Sequence, residues 1–332
     1  MSWSIFPANE FPDVSDAWRE LNEATVNSPL LHPDFMLPVF AEFAKGDEVL
    51  AIHGPREAPD AMGLFSPGGC FTWQTFQPSV APLGAWLRKP ETSLPELLDG
   101  LIRALPGFNV LVALSQQDPN LSPRPENAGK TRTLDYIHTA RMAISGDFET
   151  YWNARGKNLR HTMKRQRNRL AREDITPRFE ELVGETEMAD AVANYARMES
   201  SGWKGEAGTA VGEADPQSRF YTKMLENFCR RGKGLVYRYW YNDKLVATDL
   251  CIHDDGTIII LKTTYDETEK TTSPSQLMRQ DAFQKFFDGG WFDGLEFYGP
   301  VKDWHTKLSD DVRTMYHVNR YRWWWLATMR GR

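Results

Sequence analysis

The chain has 332 residues, of which 41% are hydrophobic and 25% charged, and its formal net charge at neutral pH is −6. That length suits two domains of ordinary size, and the composition is that of a globular protein with packed cores, which excludes disorder as the general state. A net acidic chain excludes general coating of nucleic acid, and no apolar run approaches the roughly 20 residues that cross a bilayer, so neither DNA nor a membrane is expected as a partner.

The first predicted helix covers residues 13–23, and Ser28-Pro29-Leu30-Leu31-His32-Pro33 punctuates the entry to a second over residues 34–44. Phe35, Val39, Phe40 and Phe43 recur at helical spacing there and form a core face. Strands are predicted at 48–53, at 71–76 inside a Pro- and Gly-rich stretch, and at 108–114 after a helix capped by Ser93. A loop over 116–130 then leads to a strand at 134–144.

Residues 1–150 carry a net charge of −9 and residues 151–332 one of +3. Most of the contrast comes from 155–172, where eight basic residues occur without an acidic one. Leu159, Met163, Gln166 and Leu170 form one stripe of a helix in this stretch, with the basic residues on its other faces. Such a helix reads either as a solvated face packed by its narrow stripe or as an electropositive wall for a phosphorylated ligand.

A strand at 175–182, an acidic helix from 185 to about 200 and a helix over 216–231 with Phe220, Met224, Leu225 and Phe228 at core spacing come next. Turn residues at 242–244 and 254–256 then separate three β-rich runs, which predicts an antiparallel meander over 235–264. Ser273, Pro274 and Gln276 match an N-cap, a first-turn proline and a capping-box acceptor for a helix over 276–287. A plain capped helix and a phosphate-holding helix N-terminus are both compatible with this junction. A strand over 294–298 follows, and Tyr321-Arg322-Trp323-Trp324-Trp325 reads as aromatic rings docked into a core, with a nucleic-acid stacking platform as the alternative.

The opening segment lacks the basic and apolar regions of a secretory signal, and Cys70, Cys229 and Cys251 are too few and scattered for a disulfide framework or a metal cluster. A cytoplasmic location and no metal are therefore expected.

Asn158-Leu159-Arg160 in the basic helix, Gly202-Trp203-Lys204-Gly205, the meander, Ser273-Pro274-Ser275-Gln276-Leu277-Met278, and Leu295-Glu296-Phe297 followed by Lys307 together resemble the BioF2-like acyltransferases. That family belongs to the GNAT superfamily and is similar to the FemAB peptidyltransferases. The resemblance implies an α/β (α+β) fold of two GNAT-like domains, with mixed, mostly antiparallel sheets flanked by helices. The first, over residues 1–146, would be degenerate, and the second, over 147–332, would carry the chemistry.

The implied activity is acyl transfer from acyl-CoA, acetyl-CoA included, to an amine of a small molecule, amino sugar or peptide. One departure bears on the donor: no glycine occurs from Thr257 through Asp288, where the superfamily's pyrophosphate loop carries Gln/Arg-x-x-Gly-x-Gly/Ala. Aminoacyl-tRNA, as in the FemAB group, therefore stays open as a donor. A third reading is a catalytically silent module that binds a polysaccharide-synthesis or carrier-protein partner.

Acylating an amine requires a base for the nitrogen, polarisation of the carbonyl and a proton for the leaving group. Glu199 at a helix end beside Trp203 is the expected base, Tyr298 the expected acid, and Lys307 an oxyanion or phosphate partner. Lys262, Ser273, Ser275, Gln276 and Arg160 are expected at the donor, and Trp203, Lys204 and His305 at the acceptor.

Overall fold

The computed structural model describes residues 2–200 and 215–329. Among these the strands are β1 (Trp3–Pro7), β2 (Val49–His53), β3 (Ala61–Pro67), β4 (Thr72–Thr75), β5 (Trp86–Arg88), β6 (Leu111–Gln117), β7 (Thr131–Ala143), β8 (Pro177–Leu182), β9 (Gly234–Tyr241), β10 (Lys244–Asp254), β11 (Thr257–Tyr265), β12 (Gly294–Glu296) and β13 (Asp311–Tyr321). The chain is a two-domain mixed α/β protein. One compact unit holds the residues up to His138 together with those from Arg313 on, and the other holds Thr139–Val312.

In the first unit the strands run in the order β1-β2-β3-β4-β6-β13, with β5 paired to β3. β13 lies antiparallel to β6, matching Tyr321 with Leu111 and Val318 with Leu114. The end of the chain is thus part of the first unit, whereas the expected boundary assigned everything after residue 146 to the second. The physical reason is this ladder, with Tyr316 and Val318 buried in the same core as Val112 and Leu114. The helix Leu94–Ala104 covers that core with Leu97, Leu98, Leu101 and Ile102.

In the second unit the order is β7-β12-β11-β10-β9-β8. β9, β10 and β11 form the antiparallel meander. The helix Pro274–Gly289 then returns the chain so that β12 lies parallel to β11. Alternation along β9 sends Leu235, Tyr237, Tyr239 and Tyr241 into a core shared with Leu277, Phe283 and Phe286 of that helix and with Leu159, Met163 and Leu170 of the helix Lys157–Arg172. Arg238 points the opposite way and bonds Asp190 of the helix Met188–Ser200 at 2.8 Å. The two faces of the meander therefore carry different helices.

Of β11, β12 pairs only with Thr257, Ile258 and Ile259, so residues 263–265 of β11 have no ladder partner on that side among the described residues. The sheet opens at this point, and side chains from both faces can converge there.

Two expectations near the end of the chain are corrected. The strand expected over 294–298 stops at Glu296, because Tyr298 adopts a left-handed backbone conformation (φ 48°) that a pleated strand cannot continue. The tryptophans after Tyr321 are not docked in a core: Trp323, Trp324 and Trp325 are 37%, 65% and 45% exposed, at the start of a short helix, Trp324–Met329. Among the described residues no helix is long and apolar enough to cross a membrane.

Candidate active site

A cavity of about 290 Å³ lies in the second unit where β11 loses its neighbour. Its wall combines Glu199, the β11 residues Thr263, Thr264 and Tyr265, the junction Ser273, Pro274, Ser275 and Gln276, and Arg279, with Glu267, Lys270, Lys302 and Trp304 beside them.

Glu199 comes from the last turn of the helix Met188–Ser200 and is only 2% exposed. Tyr195, one turn earlier on the same face, donates its hydroxyl to Glu199 Oε1 at 2.6 Å. Burial, and then the charge of Glu199, push the hydroxyls of Tyr195 and Tyr221 well above the usual tyrosine value, so both stay protonated donors.

Arg279 enters from the opposite face of the sheet. It stands one turn after Ser275 and is 4% exposed. Its Nη2 donates to Thr263 Oγ1 at 2.6 Å and lies 3.5 Å from Oδ1 of Asp249, a carboxylate in the middle of β10. The guanidinium carbon sits 4.1 Å from the ring centroid of Trp304, a cation–π contact that covers it. Burial raises the Asp249 pKa and the charge of Arg279 opposes that rise. Among the described residues, Arg279 Nε, Asp249 Oδ1 and Ser275 Oγ are buried and have no hydrogen-bond partner.

The junction differs from the expected capping box. Ser273 takes a left-handed conformation (φ 56°, ψ 54°) and its side chain makes no cap hydrogen bond. A serine N-cap bonds the N–H groups ahead of it from extended backbone, and the left-handed turn removes that geometry. Gln276 N–H instead donates to Ser273 C=O at 3.0 Å, and Pro274 has no N–H, so fewer open donors remain than a capped helix start would offer.

Of the residues singled out from sequence, Glu199, Ser273, Ser275 and Gln276 therefore line one cavity. Tyr298 and Lys307 are not in its wall; Lys307 is exposed in the short helix Asp303–Leu308. Lys262 is not in the wall either, and its Nζ lies 5.7 Å from the ring centroid of Tyr221. Arg160 is tied within its own neighbourhood, with Nε on Arg155 C=O at 3.1 Å and Nη1 on Asn153 at 3.3 Å. Trp203 and Lys204 lie outside the described residues.

His305, expected at the acceptor, is buried in a structural role. Its Nδ1 accepts from Lys302 N–H at 2.9 Å, and its ring stacks on Trp304 with centroids 3.5 Å apart. Burial, and then the charge of Arg279, push its pKa down to about 4, so it is neutral near pH 7.

Sequence reasoning missed Arg279, Asp249, Tyr195 and Trp304. Two signals were available: Arg279 follows Ser275 at i, i+4, and Asp249 is an acid inside the apolar run Val246 to Ile252.

Residues 157–306 match the family model described as an acetyltransferase (GNAT) domain. No curated protein matches the chain in sequence. Among solved structures, the chain is similar to the C-terminal domain of an Agrobacterium fabrum protein described as a lysylphosphatidylglycerol synthetase. That match has 13% identity and a TM-score of 0.58, covering 96% of this chain and 94% of the other. It is also similar to L-PGS from Bacillus licheniformis (13% identity, TM-score 0.53, covering 94% and 92%). FemX is a further neighbour (9% identity, TM-score 0.50, covering 82% and 87%). At these identities the likeness is one of fold.

Proposed function

From a chain whose residues 157–306 form a GNAT-type acetyltransferase domain, we propose an N-acyltransferase that moves an acyl group from acyl-CoA to the amine of a small molecule, amino sugar or peptide. The observation that carries this reading is Glu199, a buried carboxylate held by Tyr195 in the wall of the same cavity as the start of the Pro274–Gly289 helix.

Glu199 takes a proton from the attacking amine, whose nitrogen forms the new C–N bond to the acyl carbon as the donor's C–S bond breaks. The leaving sulfur takes the further proton that the nitrogen sheds as the amide forms, and Glu199 returns its own to solvent, so the step is balanced without an outside reagent. Tyr195 fixes the carboxylate in one orientation, which limits the reorganisation needed when the proton arrives. The buried Arg279, covered by Trp304, places a positive charge on that side of the cavity.

The junction suits an anionic donor even without glycine. Ser273 adopts the left-handed conformation that a glycine would take freely, and it lines the cavity together with Lys270 and Lys302. Acyl-CoA when bound supplies the activated thioester, and Ser273, Gln276, Lys270 and Lys302 are the residues that would hold it.

A second reading uses aminoacyl-tRNA as donor. The observation that favours it is a shallow basic groove on the helix Lys157–Arg172, formed by His161, Lys164, Arg165, Asn168, Ala171 and Arg172. It would add a polyanion site that CoA does not need.

Calorimetry with acetyl-CoA and longer acyl-CoA species, followed by turnover against a broad amine panel, tests the first reading. Saturable acyl-CoA binding with amide formation is expected. Absence of both, together with transfer from aminoacyl-tRNA, would replace it with the second. Absence of transfer from either donor would favour the binding module that has no chemistry of its own.

A further inference from the structure

The walls of the cavity carry charge of both signs, and two of its polar groups have no partner among the described residues. Arg279 brings a nearly fully buried guanidinium whose Nε has no hydrogen-bond acceptor, although Nη2 is engaged by Thr263. Ser275 Oγ, one helical turn before it, is likewise buried and unpartnered. Buried donors left unpaired are costly, and the two here share one helix face and one cavity. Asp249 offsets the charge of Arg279 from beneath, but at 3.5 Å it makes no hydrogen bond to it. Across the cavity stands the Glu199 carboxylate.

We propose that the acceptor is an amino acid or an amino-acid-like zwitterion, with its amine at Glu199 and its carboxylate at Arg279 and Ser275. The inference rests on the acyl-transfer reading above and adds the chemical class of the acceptor. A simple amine would leave Arg279 Nε and Ser275 Oγ unpaired beside Trp304. A simple carboxylate would bring a second negative charge toward Glu199. A zwitterion gives each wall its counter-charge and enters without net charge, so neither of its ions is desolvated unpaired. Arginine also suits a carboxylate geometrically, because its planar fork can donate two parallel hydrogen bonds. The cavity is near the lower end of small-ligand pockets, roughly 300 Å³ upward, which fits a compact acceptor.

The test compares amino acids with their own carboxamides on the full chain, since each pair differs only in the carboxylate. Free amino acids and their amides are first added without donor, and thermal unfolding is followed. The same panel is then assayed for acylation with acyl-CoA species. At least one free acid is expected to raise Tm and to be acylated with kcat/KM about tenfold or more above that of its amide. Arg279→Lys and Ser275→Ala should each shrink that ratio by about threefold or more, and Ser275→Ala keeps the test valid if the arginine variant fails to fold.

Amides that bind and react as well as the acids would overturn the inference while leaving acyl transfer intact. Acids that raise Tm more than their amides do but are never acylated would keep the zwitterion site at Glu199, Arg279 and Ser275 and remove the acyl-CoA reading. A panel in which no acid binds or reacts overturns the inference.

Discussion

Tyr195 donates a 2.6 Å hydrogen bond to Glu199 from one turn earlier in the same helix, and both residues are at most 2% exposed. A carboxylate removed from water in this way has its orientation fixed by the protein, which is what a general base needs before substrate arrives.

Replacing Glu199 with Gln should therefore lower kcat by about 100-fold or more with little change in stability, since the amide oxygen can still accept from Tyr195. Tyr195→Phe should lower kcat by roughly tenfold, because the base remains but loses its fixed orientation. Steady-state kinetics on any amine that is turned over checks both. Equal activity of wild type and Glu199→Gln would remove Glu199 from the chemistry.

Asp249 and Arg279 form a buried pair with side-chain exposures of 2% and 5%. Asp249→Asn alone should destabilise the protein by about 3–5 kcal/mol, because it leaves a buried guanidinium without its counter-charge. The double replacement Asp249→Leu with Arg279→Met should cost less than the sum of the two single changes, and urea unfolding of all four proteins measures the coupling. Strict additivity would show that the two charges do not interact.

His305 should make the protein acid-sensitive. Its folded pKa is about 4 against an ordinary value of 6.5, so as pH falls below 6.5 the unfolded chain binds a proton that the folded chain refuses. The stability it confers is complete above that range and is lost as pH falls through 4, up to roughly 3 kcal/mol. His305→Gln should flatten this part of the stability profile relative to wild type, as followed by denaturant unfolding between pH 7 and pH 4. Parallel profiles would contradict it.

Ser273 holds a left-handed backbone conformation between the 3-10 turn Glu267–Thr272 and the helix Pro274–Gly289. Ser273→Gly should be tolerated in stability and donor binding. Ser273→Val should cost about 1 kcal/mol or more, since a β-branched residue is disfavoured at positive φ, and should weaken acyl-CoA binding. Equal behaviour of the two variants in thermal unfolding would argue that the turn relaxes freely.

The tRNA donor predicts a steep dependence of binding on salt. If aminoacyl-tRNA is used, Ala at Lys164, Arg165 and Arg172 should reduce tRNA affinity and flatten its dependence on salt, one unit of slope being roughly one lost phosphate contact. Arg167 is a poorer choice for that test because it is engaged by Gln280 and Asp281 of the neighbouring helix. An unchanged slope in the triple variant would remove the basic helix from donor binding.

Periodicity alone located most elements that carry a regular apolar pattern. The stripe Leu159, Met163, Gln166 and Leu170 is the set of residues that the basic helix buries, and the meander turns fall at the expected Asn242 and Asp255. What escaped were segments whose structure depends on partners far along the chain. β1, the three-residue β5 and β13 have no strong pattern of their own and exist because β2, β3 and β6 present edges to pair with. At the site, Glu199 and the Ser273 junction were legible as a helix end and a helix start. Arg279 was not, because a single arginine in an amphipathic helix looks like a surface charge until the fold buries it.

The sequence by itself therefore determined the local units: amphipathic helices, a three-stranded meander, and a polar junction leading into a helix, each set by contacts within a few residues. Only the tertiary structure decided which of them meet. It brings Glu199 from one face of the sheet and Arg279 from the other to the gap left by the short strand β12. It also turns His305 into a buried cap, because ladder length, burial and charge pairing depend on residues far apart in sequence and near in space.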